Sequence, residues 1–194
     1  MALILDIRGT HGSGKSTVVH NLLKQYEHTP IEGFCEYKQK EMVLGYHLHD
    51  PYGAVLGRYN NVCGGCDGIG SADETCRRVR LFSQEHSLVI LEGILVAHTF
   101  QRYSDLAKEL EAAGHSYFFL FLNTPLQVCV SRVRQRRIKQ GNIKPFNPKN
   151  CIHDYHQIWH RTREKMVRAK HKVIELDWSE PMVQVLELVE EEKP

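Results

Sequence analysis

Eight residues near the start of the chain, Gly9-Thr10-His11-Gly12-Ser13-Gly14-Lys15-Ser16, follow the pattern G-x-x-x-x-G-K-[ST]. Such a run carries meaning only between a strand and a helix. Leu3 to Arg8 ahead of it has the length and apolar content of a buried strand. Lys15 to Glu27 behind it carries Val18, Val19, Leu22 and Leu23 at helical spacing. Glycines at these positions let backbone N–H groups face an anion where a Cβ would clash, and the start of a helix adds a partial positive charge. Lys15 is then expected at the β- and γ-phosphate oxygens and the Ser16 hydroxyl on Mg²⁺, with Gly12, Ser13, Gly14 and Thr17 completing the cradle. A chain with this loop in this context is expected to bind a nucleoside triphosphate.

The remaining pattern alternates strands and helices. Ser87 to Leu91 is a continuous apolar run of the kind covered on both faces, and Ser116 to Leu122 and Lys172 to Leu176 are further strands. Helices are predicted from Ser71 or Asp73 to about Gln84, from Thr99 to Ala113, from Pro125 to Ile138, from Cys151 to Ala169 and from Pro181 to Glu190. Val43 to His49 and Ala54 to Tyr59 alternate around the turn signal Asp50-Pro51-Tyr52-Gly53, which predicts a β-hairpin inserted beside the nucleotide site. The expectation is an α/β fold: a parallel sheet of about five strands flanked by helices, with ligands at the carboxyl ends of the strands.

At 194 residues the chain is expected to form one domain. It shows no secretory signal and no twenty-residue apolar stretch, so a soluble protein of the cytoplasm with no membrane role is expected. Its six cysteines are then expected as thiols. Cys63-Gly64-Gly65-Cys66 has the spacing of half a zinc site, but only Cys76 or His86 follows nearby, and a glycine-rich loop with two free thiols is the simpler reading.

The net charge is only +2, yet from Ala112 to His153 there is no acidic residue while Arg132, Arg134, Arg136, Arg137, Lys139, Lys144 and Lys149 all fall there. That stretch presents a positive field to an anionic ligand. Arg132 and Arg136, four apart on one helix face, are candidates for a lid over the phosphates; the bland alternative is a solvated basic helix. Glu92-Gly93 directly follows the apolar strand. A carboxylate there holds Mg²⁺, polarises a nucleophile, or merely caps the strand end. Asp67 is the candidate base for an acceptor hydroxyl, and equally an ordinary turn residue. Tyr59 and Tyr52 are placed to stack a base or to pack a hairpin. Arg77, Arg78 and Arg80 either meet an anionic substrate or pair with Glu74. His153, His156 and His160 share helical spacing without a metal-binding pattern.

No N-K-x-D base-reading motif of a GTPase and no signature loop of a transport ATPase is present. A compact phosphotransferase remains. Three further stretches resemble one family of them: Tyr59 with Cys63-Gly64-Gly65-Cys66-Asp67-Gly68-Ile69; Cys76-Arg77-Arg78-Val79-Arg80; and Leu91-Glu92-Gly93-Ile94-Leu95-Val96-Ala97-His98-Thr99-Phe100. With Thr124-Pro125-Leu126 and the run from Arg132 to Pro145, they are similar to the bacteriophage 5-hydroxymethyluracil DNA kinases, P-loop kinases of thymidine hypermodification. The resemblance implies a P-loop kinase-like fold with an arginine-rich lid over residues 131–149. It also implies ATP and Mg²⁺, DNA containing 5-hydroxymethyluracil as substrate, and, for a phage-encoded protein, the host cytoplasm. By the same resemblance Asp67 is the base, Lys15, Arg132 and Arg136 stabilise phosphate, and Ser16 and Glu92 lie near Mg²⁺. Tyr59, Gly65, Asp67 and Arg77 are then the residues expected to meet the acceptor. The alternatives are a kinase of free nucleosides or nucleoside monophosphates, and a nucleotide-dependent regulator that transfers nothing.

Overall fold

In a computed structural model that describes residues 1–60 and 64–192, the chain builds one seven-stranded sheet. The strands are β1 (Leu3–Arg8), β2 (His28–Cys35), β3 (Lys40–Leu48), β4 (Gly53–Leu56), β5 (Leu88–Glu92), β6 (Ser116–Leu122) and β7 (Lys172–Leu176), in the spatial order β2-β3-β4-β5-β1-β6-β7. β4, β5, β1, β6 and β7 run parallel and β2 and β3 are antiparallel, so the sheet has seven strands where about five were expected. The hairpin of β3 and β4 exists, but it is not an insertion. Because β4 also pairs with β5 through Gly53↔Leu88 and Val55↔Ile90, the hairpin is the sheet's own continuation.

Alternation along the parallel strands sorts their side chains onto two faces. Ile4, Val89, Leu91, Tyr117, Phe119 and Phe121 point to one, under α2 (Ala72–Glu85), α4 (Gln101–Ala112) and α6 (Asp154–Arg168). Leu3, Leu5, Ile7, Ile90, Phe118 and Leu120 point to the other, under α1 (Lys15–Gln25) and α7 (Pro181–Glu191). Both faces are covered, which is why these strands read as unbroken apolar runs. Phe119 and Phe121 are fully buried, each contributing roughly 2–3 kcal/mol by leaving water.

A fully buried polar pair interrupts this core. Arg8 donates to Asp6 Oδ2 at 2.7 Å and to the Thr99 carbonyl at 3.2 Å, and its guanidinium lies 4.8–5.8 Å from the ring centres of Tyr103, Phe119 and Phe121. Tyr117 donates to the same Asp6 oxygen at 3.1 Å. The carboxyl of Asp6 is pushed up by burial and pulled back by Arg8.

Two elements escaped the sequence reading. β2 was hidden by His28-Thr29-Pro30, a helix stop that also opens a strand at the sheet edge, where proline is tolerated. α3 (Ile94–His98) is a five-residue helix, too short for periodicity to reveal. Ser71 caps α2, its Oγ accepting from the Glu74 N–H at 3.1 Å. α5 (Leu126–Lys139) buries only Cys129 and Val133, against Ile152 in a π turn at 149–153, so it stands apart from the main core.

Candidate active site

The carboxyl ends of β1, β4, β5 and β7 open into one cavity of about 1040 Å³. β1 delivers the phosphate loop, β5 ends in Glu92, β4 leads to Arg58, and β7 leads to Trp178. Ile7 pairs with Glu92 in register, so the loop and the strand-end carboxylate leave adjacent strands side by side.

The loop is shaped for an anion. Gly12 and Gly14 take positive φ of 78° and 109°, where an L side chain is strained. Gly12 is also pressed against α5: a β-carbon would lie 2.5 Å from the Cys129 carbonyl. Lys15 is buried and folds back, donating to the carbonyls of Gly9 at 2.8 Å and Thr10 at 3.1 Å; burial pulls its ammonium below the usual lysine range. Thr124 donates to the Ser13 carbonyl at 2.8 Å and fixes the far side of the loop.

Beside it, Ser16 donates to Glu92 Oε1 at 3.0 Å. Burial pushes the Glu92 carboxyl up to about 7, against the pull of Lys15 and Ser16. Two oxygen donors at one end of the loop, one a buried carboxylate short of counter-charge, suit a hard divalent cation. Gly65 has φ 86°, and any β-carbon there would collide with Glu92, so this glycine makes the room the carboxylate occupies. Asp67 sits in a 3-10 turn (Cys66–Gly68) and caps α3: its two oxygens accept from Ile94 N–H at 2.8 Å and Leu95 N–H at 3.0 Å. It is exposed and lines the cavity, with lone pairs left for an acceptor.

Arg132 and Arg136 both line the cavity from α5. Arg132 donates to the Ser13 carbonyl at 3.1 Å and lies 5.3 Å from the Trp178 ring centre. Arg137 turns away and fastens the following loop, donating to Asn142 Oδ1 at 3.1 Å and the Lys144 carbonyl at 2.6 Å and resting over Phe146.

Lys15, Ser16, Asp67, Glu92, Arg132 and Arg136 therefore come together, but three residues expected at the acceptor do not: Gly65 is buried against Glu92 and off the cavity wall, and Tyr59 and Arg77 face other partners. Tyr59 is buried at 6% exposure against Tyr46 and His20. Its hydroxyl lies beside the Glu92 carboxylate without meeting hydrogen-bond geometry, and its ring supports the site from below instead of stacking a base. Arg77 is engaged by Glu74 through bonds of 2.8 and 2.9 Å and lies off the cavity wall; Arg78 and Arg80 are likewise paired, with Glu74 and Glu109. Tyr52 stacks on His86 at the opposite ends of the strands. Cys63, half of the zinc-like spacing, lies outside the described residues. Among those described, no three side chains form a metal-binding group, and Cys35, Cys66, Cys76 and Cys129 are buried free thiols.

Arg58, Trp178 and His11, which no sequence pattern singles out, also line the cavity. Arg58 and Trp178 follow strand ends, a signal that becomes usable only once the strand order is known. His11 lies inside the loop motif at a variable position; it lines the cavity, its ring edge-on to Tyr155 at 5.0 Å, and Tyr155 in turn stacks on His98 at 4.7 Å.

No family model matches this sequence. Among solved structures, the Pnkp1/Rnl/Hen1 RNA repair complex aligns with 84% of this chain and 46% of its own, at 15% identity and a TM-score of 0.47. Among curated proteins, the 5-hmdU DNA kinase of Delftia phage PhiW-14 is 26% identical over 166 residues, 80% of this chain and 60% of that protein. The 5-hmdU DNA kinase of Bacillus phage SP10 is 33% identical over 138 residues, 69% of this chain and 21% of that longer protein. The 5-hmdU DNA kinase of Pseudomonas phage PaMx11 is 36% identical over 180 residues, 90% of either chain. Identity sustained over that length reaches far beyond the loop motif, and this chain belongs to the family of 5-hmdU DNA kinases.

Proposed function

We propose that the protein is a P-loop kinase that transfers the γ-phosphoryl group of ATP to the hydroxymethyl oxygen of 5-hydroxymethyluracil in DNA, leaving ADP and a phosphomethyl base. One observation carries the reading: a single cavity joins a phosphate loop, a hydroxyl–carboxylate pair at its end, two lid arginines and a capped aspartate on the acceptor side.

Lys15 leaves the loop carbonyls for the β- and γ-phosphate oxygens, and the backbone N–H groups around Gly12 and Gly14 receive the rest of the triphosphate. Arg132 and Arg136 neutralise charge that builds on the transferred group. Ser16 and Glu92 would hold Mg²⁺, which when bound would offset the negative charge of the phosphates. Asp67 orients the acceptor hydroxyl and takes its proton as the new O–P bond forms and the bond to the β-phosphate oxygen breaks. Trp178, with its ring against the Arg132 guanidinium, offers an aromatic face on the same cavity wall. Lys15 and Glu92 are buried at the strand ends, so a pyrimidine still stacked in a duplex is poorly placed to meet the transferred phosphoryl group. The target base enters flipped out or from an opened strand.

The deciding experiment offers labelled ATP in parallel to 5-hydroxymethyluracil DNA, thymine DNA, free nucleosides and free nucleoside monophosphates. Label confined to the first confirms the reading. Label only in a free nucleotide replaces it with a small-molecule kinase.

A further inference from the structure

The cluster of Arg77, Arg78 and Arg80, expected to meet an anionic substrate, is already engaged, as are Arg102 and Arg8. Arg77 and Arg78 pair with Glu74, Arg80 with Glu109, Arg102 with Asp73, and Arg8 with Asp6. Arg58 differs. Its Nε is buried without a hydrogen-bond partner, and its guanidinium forms no ion pair among the described residues. A guanidinium held this way in a cavity wall is short of an anion, and planar N–H donors favour phosphate oxygens.

Its placement says which anion. The sheet order puts the end of β4 and the end of β7 at opposite edges of the parallel strands, so Arg58 faces the cavity from the side away from Trp178. The donor's phosphates have their own cations in Lys15, Arg132 and Arg136, leaving Arg58 over for the acceptor. Its backbone is fixed to the loop that carries Asp67: Gly65 N–H donates to the Arg58 carbonyl at 2.9 Å, and Arg58 N–H to the Gly65 carbonyl at 3.3 Å. The stem lies along Gly68, where a β-carbon would be 3.4 Å from Arg58 Cβ and Cδ. Arg58 and Asp67 are thus tied together through the backbone and present a cation and a carboxylate to the same cavity.

We propose that Arg58 grips a phosphodiester of the DNA strand next to the target nucleotide, so that the site tells a base within a strand from a free nucleoside. This rests on the DNA kinase reading above.

The test uses an oligonucleotide with one 5-hydroxymethyluracil, wild-type protein, R58A and R58K. Affinity is read by fluorescence anisotropy across a salt series, with ATP affinity and thermal melting as controls of the fold. R58A is expected to bind the oligonucleotide about tenfold more weakly, with a plot of log affinity against log salt shallower by about one, and to bind ATP normally. R58K, retaining charge but not the fork, is expected to recover the slope and part of the affinity. A neutral methylphosphonate at one linkage beside the target should weaken wild type by a similar factor and leave R58A unmoved. Unchanged DNA affinity and slope in R58A, or a weakened affinity for ATP alone, overturns the assignment. So does an equal loss in wild type and R58A at every linkage. If R58A does not fold, R58K and the linkage scan on wild type decide between the same outcomes. Wild-type protein that transfers no label to this oligonucleotide marks failure of the functional reading, separately from that of Arg58.

Discussion

Ser16 Oγ stands 3.0 Å from Glu92 Oε1, a bond between residues 76 positions apart that ties the start of α1 to the end of β5. It joins the two groups proposed to hold Mg²⁺ before any cation arrives. Glu92→Gln should keep the fold, keep an acceptor for Ser16, and reduce phosphoryl transfer at least about 100-fold. The check is turnover at saturating ATP and DNA.

The same carboxyl sets a pH dependence. Its folded pKa of about 7 lies above the ordinary value of 4.5, so the native state binds the proton more tightly. The stability this supplies is complete below pH 4.5 and is lost as pH rises through 7. Nucleotide-free wild type should therefore lose stability between pH 5 and 8 relative to Glu92→Gln, by up to about 3 kcal/mol, in parallel urea titrations. Activity should move the other way, rising toward pH 7 as the carboxylate ionises. Identical pH profiles of stability for the two proteins would refute the assignment.

Asp67 serves as helix cap and proposed base, and two substitutions separate the roles. Asp67→Asn keeps one accepting oxygen for the α3 N–H groups and loses the proton acceptor. It should melt near wild type yet transfer at least about 100-fold more slowly with ATP affinity intact. Asp67→Ala should in addition lose about 1–2 kcal/mol of stability with the cap. Full transfer by the asparagine variant would remove Asp67 from the chemistry.

Gly65→Ala carries two penalties, a strained positive φ and a β-carbon driven into Glu92. The φ alone costs about 1–2 kcal/mol. Because the obstruction is at Glu92, the rise in Mg²⁺ needed for half-maximal rate should exceed the rise in ATP needed. A magnesium titration of the variant measures it.

Asp6→Ala would leave Arg8 charged and unpaired among Tyr103, Phe119 and Phe121. A loss of about 3–5 kcal/mol is expected. Replacing both partners with apolar residues of similar volume should recover most of it, as read from urea midpoints.

The parts of this site visible in the sequence are those built from neighbours along the chain. The phosphate loop, Glu92 at the end of an apolar strand and the paired Arg132 and Arg136 each carry their context within a dozen residues. What was not legible depends on partners far away. Arg80, left in the sequence to an anionic substrate or to Glu74, pairs instead with Glu109, 29 residues on. For Tyr59 the sequence left base stacking and hairpin packing both open, and only the approach of Tyr46 and His20 decides for packing. Arg58 drew no notice because the order of strands, which gives it its place, is not written in any local pattern.

That order also bears on how the chain is made. β1 is synthesised first yet lies between β5 and β6, whose last residues are Glu92 and Leu122. As the polypeptide emerges from the ribosome, the phosphate loop waits on a strand with both edges unpaired, and native pairing closes only after Leu122 has been added. Long-range parallel pairing of this kind is slow and exposes sticky surface meanwhile. A nascent chain stopped short of Leu122 should therefore be prey for chaperones and proteases, and never a miniature nucleotide binder.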